Sequence, residues 1–183
     1  DGWNMIAELN ALSSNAAVRT YVWGADLSGS IHGAGGVGGL LAINDGASST
    51  THLPAFDGNG NVVGLLQASD AKLTARYDYT AFGETTQREG AFAPGNPFGF
   101  STKYTDFETG HLYYGYRCYV PETGRWLSRD PIAEEGGANL YGFVENAPTV
   151  RADPTGLAFF AFDGTNNDGY RDSKKGKETN VFI

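Results

Sequence analysis

The chain has 183 residues, with 26 glycines, 13% aromatic residues and only 19% charged residues, and its formal net charge at pH 7 is −8. Glycine and aromatic residues at this level favour short strands joined by tight turns over helices. The acidic balance argues against a nucleic-acid-binding protein, because phosphate binding needs a concentrated basic surface. No apolar run approaches the roughly 18 to 20 residues that a membrane-spanning helix needs.

The charge is not spread evenly along the chain. Residues 1–157 carry 17 acidic and 9 basic side chains, which gives −8, whereas residues 158–183 carry 4 of each. The sequence begins with Asp1 and stops inside an apolar run, so we expect a fragment of a longer polypeptide in which a secretion signal would not be visible. We therefore predict a boundary at Leu157.

The first 95 residues predict a series of strands and hairpins. Residues 2–9 and residues 18–24 each read as a strand. Seven glycines follow between positions 29 and 46, without the Gly-Lys-Ser/Thr of a phosphate-binding loop, so we expect turns and close backbone contacts there. Asn59-Gly60 lies between two apolar runs and predicts a hairpin. A turn at residues 69–71 then leads into the strand KLTARYDYTAFG.

The same pattern returns in YTDFETGHLYYGYRCY, at residues 104–119, where an Asp and a Gly bracket a turn between Tyr-rich segments. Strict alternation in the second segment would place side chains on opposite faces of one strand. One face would then carry Tyr114, Tyr116 and Cys118, and the other Tyr113, Arg117 and Tyr119. Because aromatic residues occur on both faces, we expect both faces to make contacts.

Two Asp-Pro dipeptides, at Asp130 and Asp153, contain the strongest candidates for catalytic residues. One interpretation is an ordinary turn, since Asp caps the turn and Pro fixes φ. The other is a carboxylate pair for peptide hydrolysis, in which one acid takes a proton from water and the other polarises the scissile carbonyl. The acids are 23 residues apart, so only a returning chain could bring them together. The intervening NLYGFVENAP is expected to do so as a strand and a turn.

Other reactive side chains carry no comparable pattern. Cys118 is the single cysteine, and we expect it to act as a small apolar residue. The lysine cluster at positions 174–177 reads as a solvated loop. The three histidines are His32, His52 and His111, and their spacing is not that of metal ligands. We therefore predict no metal and no cofactor.

Several segments together resemble the RHS-repeat-associated core domain. They are YDYTAFGE, which is similar to a YD repeat, FSTKYTDFETGHLYYGYRCYVPETGRWLSRDPI, NLYGFVENAP and ADPTGL. The resemblance covers about residues 2–157. It implies a mainly β chain whose hairpins spiral into a hollow shell, with a C-terminal core that plugs the shell and precedes a variable toxin domain.

The resemblance also implies an aspartyl self-protease that cleaves after DPxGL. Carried over residue by residue, Asp130 and Asp153 are the acidic pair, Arg129 lies beside the first acid, and the cleaved bond is Leu157–Ala158. An arginine at such a site could orient a carboxylate or stabilise an oxyanion. The first motif departs from the family pattern, because it reads DPIAEEGG here. This change alters the turn that follows Asp130 and keeps both acids.

The last 26 residues resemble the opening of the α/β-hydrolase domain of type VI secretion phospholipase effectors, through AFFAF, FDGT and TNV. The resemblance implies that Asp163, Gly164 and Thr165 shape an oxyanion loop. The nucleophile motif Gly-x-Ser-x-Gly is absent from these residues, so the fragment is too short for a working lipase. A toxin of another class, such as a nuclease, is the alternative for this segment.

We therefore predict three regions: RHS/YD-repeat strands at 1–95, a self-cleaving core at 96–157, and the truncated start of a toxin domain at 158–183, for which the resemblance implies an α/β-hydrolase. The expected function is to enclose a C-terminal toxin as cargo and to release it by one aspartate-dependent cut. The resemblance implies delivery by a bacterial secretion system or display at the cell surface, with delivery machinery and an immunity protein as partners. The acidic charge predicts no nucleic-acid partner. The alternative is a passive cell-surface YD-repeat protein that binds partners without proteolysis.

Overall fold

The structure is a computed structural model that describes residues 4–157 and the backbone of residues 160–161. Its largest element is a seven-stranded antiparallel sheet in which each strand pairs with the next one in sequence. The mainly β fold is therefore confirmed. The strands are β1 (Ala7–Asn10), β2 (Ala16–Trp23), β3 (Leu40–Asp45), β4 (Thr50–Phe56), β5 (Val62–Gln67), β6 (Leu73–Tyr79) and β7 (Thr85–Glu89).

The predicted hairpin at Asn59-Gly60 joins β4 to β5. Gly60 has a φ of +73°, a conformation that glycine adopts without the steric cost of a Cβ. Asp57 closes the same turn, because its Oδ1 accepts hydrogen bonds from the amides of Asn59 and Asn61, each at 2.9 Å. The connection spans residues 57–61, so it is longer than a two-residue turn.

One face of the seven-stranded sheet is covered by residues of the chain that follows β7. Apolar side chains from β2, β3, β5 and β6 pack there against Ala93 and Phe98. The Phe98 ring meets the Tyr21 ring edge-on, with centroids 5.0 Å apart, a favoured geometry for aromatic pairs. The fully buried aliphatic members of this core are Leu40, Ile43, Val62 and Leu65.

A second, four-stranded antiparallel sheet has the order β11-β10-β9-β8. Its core is mainly aromatic, with Phe100, Tyr114, Tyr119, Trp126 and Phe143 in one cluster. The strands are β8 (Tyr104–Thr105), β9 (Leu112–Tyr113), β10 (Cys118–Val120) and β11 (Arg125–Trp126).

The predicted single alternating strand across residues 113–119 is wrong. Tyr114–Arg117 form the turn between β9 and β10, closed by a 3.1 Å hydrogen bond from the Tyr114 amide to the Arg117 carbonyl. Gly115 has a φ of +104°, which a β-branched or bulky residue could adopt only with strain. Both Tyr114 and Tyr119 are consequently buried, while Tyr116 is exposed.

The rest of the described chain consists of turns, bridges and short 3₁₀ helices. Residues 139–148 form turns and the 3₁₀ helix Val144–Asn146, with one isolated bridge from Gly142 to Arg125, so the strand predicted between the two acids is not formed. The remaining elements are the 3₁₀ helices Ala11–Ser13, Ala93–Gly95, Phe100–Thr102 and Ala133–Gly136, and the paired strands β12 (Arg151–Ala152) and β13 (Phe160–Ala161).

Two further predictions concern the chain's organisation. The division between residues 95 and 96 falls in the connection between the two sheets and stays a prediction. The α/β start predicted for the tail lies outside the described residues, except for the backbone of β13. In the part of the chain that the structure describes, no helix is long and apolar enough to cross a membrane.

Candidate active site

The two Asp-Pro turns are built alike. The Oδ1 of Asp130 accepts a hydrogen bond from the Ile132 amide at 3.0 Å. The Oδ1 of Asp153 accepts three, from the amides of Thr155 at 3.1 Å, Gly156 at 2.6 Å and Leu157 at 3.2 Å. One oxygen of each carboxylate therefore closes its own turn, as the turn interpretation predicts.

The other oxygen of each carboxylate faces the same guanidinium. Arg117 places Nη1 2.9 Å from Asp130 Oδ2 and Nη2 3.5 Å from Asp153 Oδ2. All three side chains are nearly inaccessible to water, with exposed fractions of 3%, 7% and 4% for Arg117, Asp130 and Asp153. The fold thus brings together the two acids predicted as a pair, with an arginine between them.

The β9–β10 hairpin positions Arg117. The residue ends the Tyr114–Arg117 turn, and its guanidinium carbon lies 4.3 Å from the centroid of the Trp126 ring. A guanidinium over an indole face is attracted by the negative face of the ring. Trp126 therefore holds the charged end of Arg117 in place while both acids bind it.

Arg117 also contacts the predicted cleavage segment. Its Nε donates a hydrogen bond to the Gly156 carbonyl, and the Tyr116 amide donates one to the Thr155 carbonyl at 3.1 Å. Gly156 has a φ of +86°, and a Cβ there would lie 3.2 Å from the Arg117 amide nitrogen. The residue just before Leu157 is therefore fixed against the hairpin that carries Arg117.

Burial shifts the pKa values of two of these side chains, Asp153 and Arg117. It raises the pKa of Asp153 to about 6, against the opposing effects of the Gly156 amide and of Arg117. It also lowers the pKa of Arg117, although the two aspartates act in the opposite direction. Asp153 is therefore an acid that can hold a proton at a pH where ordinary aspartates are ionised.

The raised pKa gives a testable pH dependence. Between pH 3.8 and about 6 the folded state binds more protons at Asp153 than the unfolded state does, so this group's contribution to stability should fall as the pH rises through that window and stay constant above it. Carbon-13 NMR of the carboxyl groups should show Asp153 titrating near pH 6.

Asp106 is the control for this titration, because its hydrogen bond to Thr109 lowers the pKa of its carboxyl group. The pKa of Asp153 should therefore lie above the ordinary aspartate value and that of Asp106 below it. If Asp153 titrates at or below that value, burial is not the dominant influence on it.

Arg129, predicted beside the first acid, lies elsewhere. Its side chain is 58% exposed, and its Nη2 is 3.6 Å from Glu134 Oε1 on the surface. Consecutive residues in an extended segment point in opposite directions, so adjacency to Asp130 in sequence does not bring Arg129 to the same site. Arg117 takes that place.

The altered motif after Asp130 still forms a tight turn. Residues 133–136 are a short 3₁₀ helix, and Ala133 has a φ of +52°. A Cβ on Gly136 would lie 2.6 Å from Asp130 Oδ2, so a larger residue there would displace the carboxylate. The turn keeps Asp130 in reach of Arg117.

Arg117 is not among the site residues that the sequence predicts. A lone arginine within an aromatic segment was the available signal, because a buried guanidinium needs carboxylate partners. Ala158, Asp163, Gly164 and Thr165 lie outside the described residues. Among the residues that are described, no group of three or more His, Cys, Asp or Glu side chains could hold a metal ion.

No protein-family model matches the chain, but individual proteins do. Toxin protein Tse5 of Pseudomonas aeruginosa is 49% identical over 61 residues, which is 33% of this chain and 5% of that protein. Toxin subunit YenC1 of Yersinia entomophaga is 41% identical over 101 residues, or 52% of this chain and 10% of the relative. Double-stranded DNA deaminase toxin A of Burkholderia cenocepacia is 39% identical over 83 residues, which is 44% of this chain and 6% of that protein.

Solved structures of toxin complexes share the fold. The TcdB2-TccC3 crystal structure without its hypervariable C-terminal region has a TM-score of 0.62 and 26% identity, and the match covers 79% of this chain and 7% of that one. The structure of the Photorhabdus luminescens Tc holotoxin pore gives a TM-score of 0.62 and 25% identity, and the match covers 86% of this chain and 7% of that chain. The chain spans a tenth or less of the length of these relatives. These homologues are Rhs and Tc toxin proteins, and the similarity supports an RHS-family toxin.

Proposed function

We propose that this chain closes the β shell of an RHS-family toxin and cuts itself once, after Leu157, to free the C-terminal toxin that the shell encloses. One observation carries the proposal. Asp130 and Asp153 converge on Arg117, and Arg117 also binds the carbonyl of Gly156, the residue that precedes Leu157.

In the proposed reaction, water attacks the carbonyl carbon of Leu157. One carboxylate takes a proton from that water while the other, in its acid form, donates a proton to the carbonyl oxygen. The intermediate then collapses. The carboxyl group that took a proton from water gives it to the Ala158 nitrogen, a hydroxyl of the intermediate returns a proton to the other carboxylate, and the C–N bond breaks to leave the Leu157 carboxylic acid and a free amine. Asp153 suits the acid role because of its raised pKa, and Asp130, with the shorter contact to Arg117, suits the base.

Arg117 makes such a buried pair possible. With both acids ionised the three side chains carry a net charge of −1, and with a proton on Asp153 they are neutral. Burial favours the neutral arrangement, which is the protonation state that the reaction needs. The guanidinium also fixes the direction of both carboxylates.

The test uses Asp130→Asn and Asp153→Asn in the chain expressed with its native flanking sequence. Each variant should remain whole by intact mass, because an amide can neither accept the proton from water nor donate a carboxylic proton. Asp106→Asn is the matched control. Asp106 is also an aspartate that closes a turn, through the Glu108 amide at 3.0 Å, but it lies away from Arg117, and its variant should be cut like the wild type.

Cleavage that persists in both site variants would contradict the aspartate mechanism. A wild type that folds but stays whole would favour the second candidate, a passive YD-repeat binding protein in which the cluster only holds the structure together. The observation behind this second candidate is that both Oδ1 atoms are already occupied by turn amides.

The segment after Leu157 is the proposed cargo, and its activity has two candidates. The resemblance to a phospholipase-like hydrolase rests on residues 158–183. A nuclease-type or related activity is favoured by the names of relatives, which include a probable deoxyribonuclease RhsB of Dickeya dadantii and tRNA nuclease WapA of Bacillus subtilis. A Gly-x-Ser-x-Gly motif and lipid hydrolysis by the released segment would support the first candidate, and nucleic-acid turnover would support the second.

The toxin relatives also support secretion or delivery in a general way. We propose that the full protein is delivered by a bacterial secretion system or displayed at the cell surface. The producing cell is then expected to hold an immunity protein against the cargo.

A further inference from the structure

Lys103 is a buried lysine beside the Asp153 turn, and the reaction proposed above does not use it. Its Nζ donates hydrogen bonds to the Pro154 carbonyl at 2.5 Å and to the Gly35 carbonyl at 2.8 Å. It lies 5.0 Å from the centroid of the Tyr114 ring. A buried ammonium group is costly unless such partners compensate for lost hydration, so the two carbonyls and the ring hold it in one position.

The Gly35 carbonyl comes from the glycine-rich loop, which we define as Asp26–Gly39. Asp26 shapes this loop, because its Oδ2 accepts hydrogen bonds from the Ala34 amide at 2.8 Å and the Gly36 amide at 3.1 Å. The two amides flank Gly35 and direct its carbonyl at Lys103. The loop is therefore built to meet a donor from the later part of the chain.

Contact between this loop and the Asp153 turn is very close. Gly35 has a φ of +59°, and a Cβ there would lie 2.1 Å from the Pro154 carbonyl oxygen. Thr102, the residue before Lys103, ties the loop to the β4–β5 turn, since its hydroxyl accepts a hydrogen bond from the Gly38 amide at 2.8 Å and donates one to the Gly60 carbonyl at 2.6 Å. Lys103 then joins this part of the repeat region to the segment that carries Asp153.

We propose that Lys103 is a positioning residue that couples the folding of the Asp26–Gly39 loop to the assembly of the Asp153 turn, so that self-cleavage waits until this part of the repeat region has closed on the core. The inference rests on the proposed self-cleavage. A cut made before closure would release the cargo outside the shell. Lys103 and the loop therefore act as a check on the order of folding and cleavage.

Charge is the second contribution of Lys103. Burial lowers its pKa to about 8, while the carboxylates of Asp153 and Asp26 raise it. In the described part of the chain, the ammonium thus faces the carbonyls of Gly35 and Pro154 and the Tyr114 ring, and the carboxylates of Asp153 and Asp26 act on its charge. Removing the cation should raise the pKa of Asp153 further, since a nearby positive charge favours the ionised carboxylate.

The experiment measures the cleavage time course by intact mass, from about pH 5 to about pH 9, on the chain synthesised with its native flanking sequence. Lys103→Met should slow cleavage by about tenfold or more, through loss of the charged donor. Its pH–rate profile should also move to higher pH, which a purely structural role would not produce. A wild-type rate with an unchanged profile would overturn the proposal.

Gly35→Ala is a second variant that leaves Lys103 intact, and it should also slow cleavage because the new Cβ displaces the Pro154 carbonyl. Gly110→Ala is the matched control. Gly110 has a similar φ of +75°, but no atom lies within 4 Å of the Cβ position, so the variant carries the backbone strain without the steric contact. Equal slowing in both variants would overturn the steric coupling.

A readout without cleavage separates this inference from the proposed function. In an Asp130→Asn background, hydrogen exchange at the amides of Thr155, Gly156 and Leu157 should become faster when Lys103→Met is added, while the Tyr119 amide stays protected. Unchanged exchange at all three amides would refute the positioning role. If the wild type is not cut but exchange changes as expected, the proposed function fails and the coupling of loop and turn stands.

Discussion

Replacing Arg117 with methionine should destabilise the core by about 3 to 5 kcal/mol and abolish cleavage after Leu157. Methionine keeps most of the volume but removes the only cation that contacts both buried carboxylates in the described chain. Asp130 and Asp153 would then stay buried without the cation that both of them contact, and only Asp153 would keep the weaker influence of Lys103. Removing one partner of a buried ion pair in this way is strongly destabilising. Urea unfolding followed by tryptophan fluorescence, with the cleavage state of each sample checked by mass, measures both effects.

Two comparisons sharpen the Arg117 experiment. Arg129→Met removes an exposed arginine whose partner is Glu134, and it should change stability and cleavage little, as is usual for surface ion pairs. Adding Asp130→Asn and Asp153→Asn to Arg117→Met should restore part of the lost stability, because the uncompensated charges disappear. Retention of full stability and cleavage in Arg117→Met would show that the guanidinium is dispensable.

Replacing Phe143 with alanine should cost about 3 to 5 kcal/mol, as large-to-small changes of buried aromatic residues do. Phe143 is 1% exposed, and its ring centroid lies 4.1 Å from that of Tyr119 and 5.4 Å from that of Trp126. It belongs to the chain segment between the two acids. Its packing therefore anchors the return of the chain that brings Asp153 back to Arg117, and cleavage should fall together with stability.

Tyr141→Ala is the control for Phe143, because Tyr141 is an aromatic residue in the same segment that is 44% exposed. Denaturant midpoints and cleavage yields for the two variants form the comparison. Equal and small effects would mean that the segment between the acids is held by its turns and not by the aromatic core.

Local sequence patterns predicted the hairpins well, because turn chemistry acts over a few residues. Asn59-Gly60 marks a turn, since Gly60 needs a positive φ. The prediction of one alternating strand is wrong at Tyr114–Arg117, because Gly115 also adopts a positive φ and the chain turns there. Side chains alternate between the two faces of a strand only as far as the strand extends, so alternation cannot be continued through a turn.

The candidate site could be predicted only in part. Asp130 and Asp153 were identified through their motifs, and the structure places both at one guanidinium. The sequence predicts Arg129, the neighbour of Asp130, as the site arginine, whereas the arginine that contacts both acids is Arg117 on the β9–β10 hairpin. Side-chain partners across sheets depend on tertiary packing, for which spacing along a single sequence gives no rule. Lys103 escaped notice for the same reason, since its partners are carbonyls 51 and 68 residues away.

The most direct test of self-cleavage is the intact mass of both products from the wild-type chain, expressed with its native flanking sequence. We predict one cut, with an upstream product that ends at Leu157 and a downstream product that begins at Ala158. Both products should be absent from Asp130→Asn and Asp153→Asn. A wild type that folds and remains whole, or one that is cut at another bond, would contradict the assignment of this site.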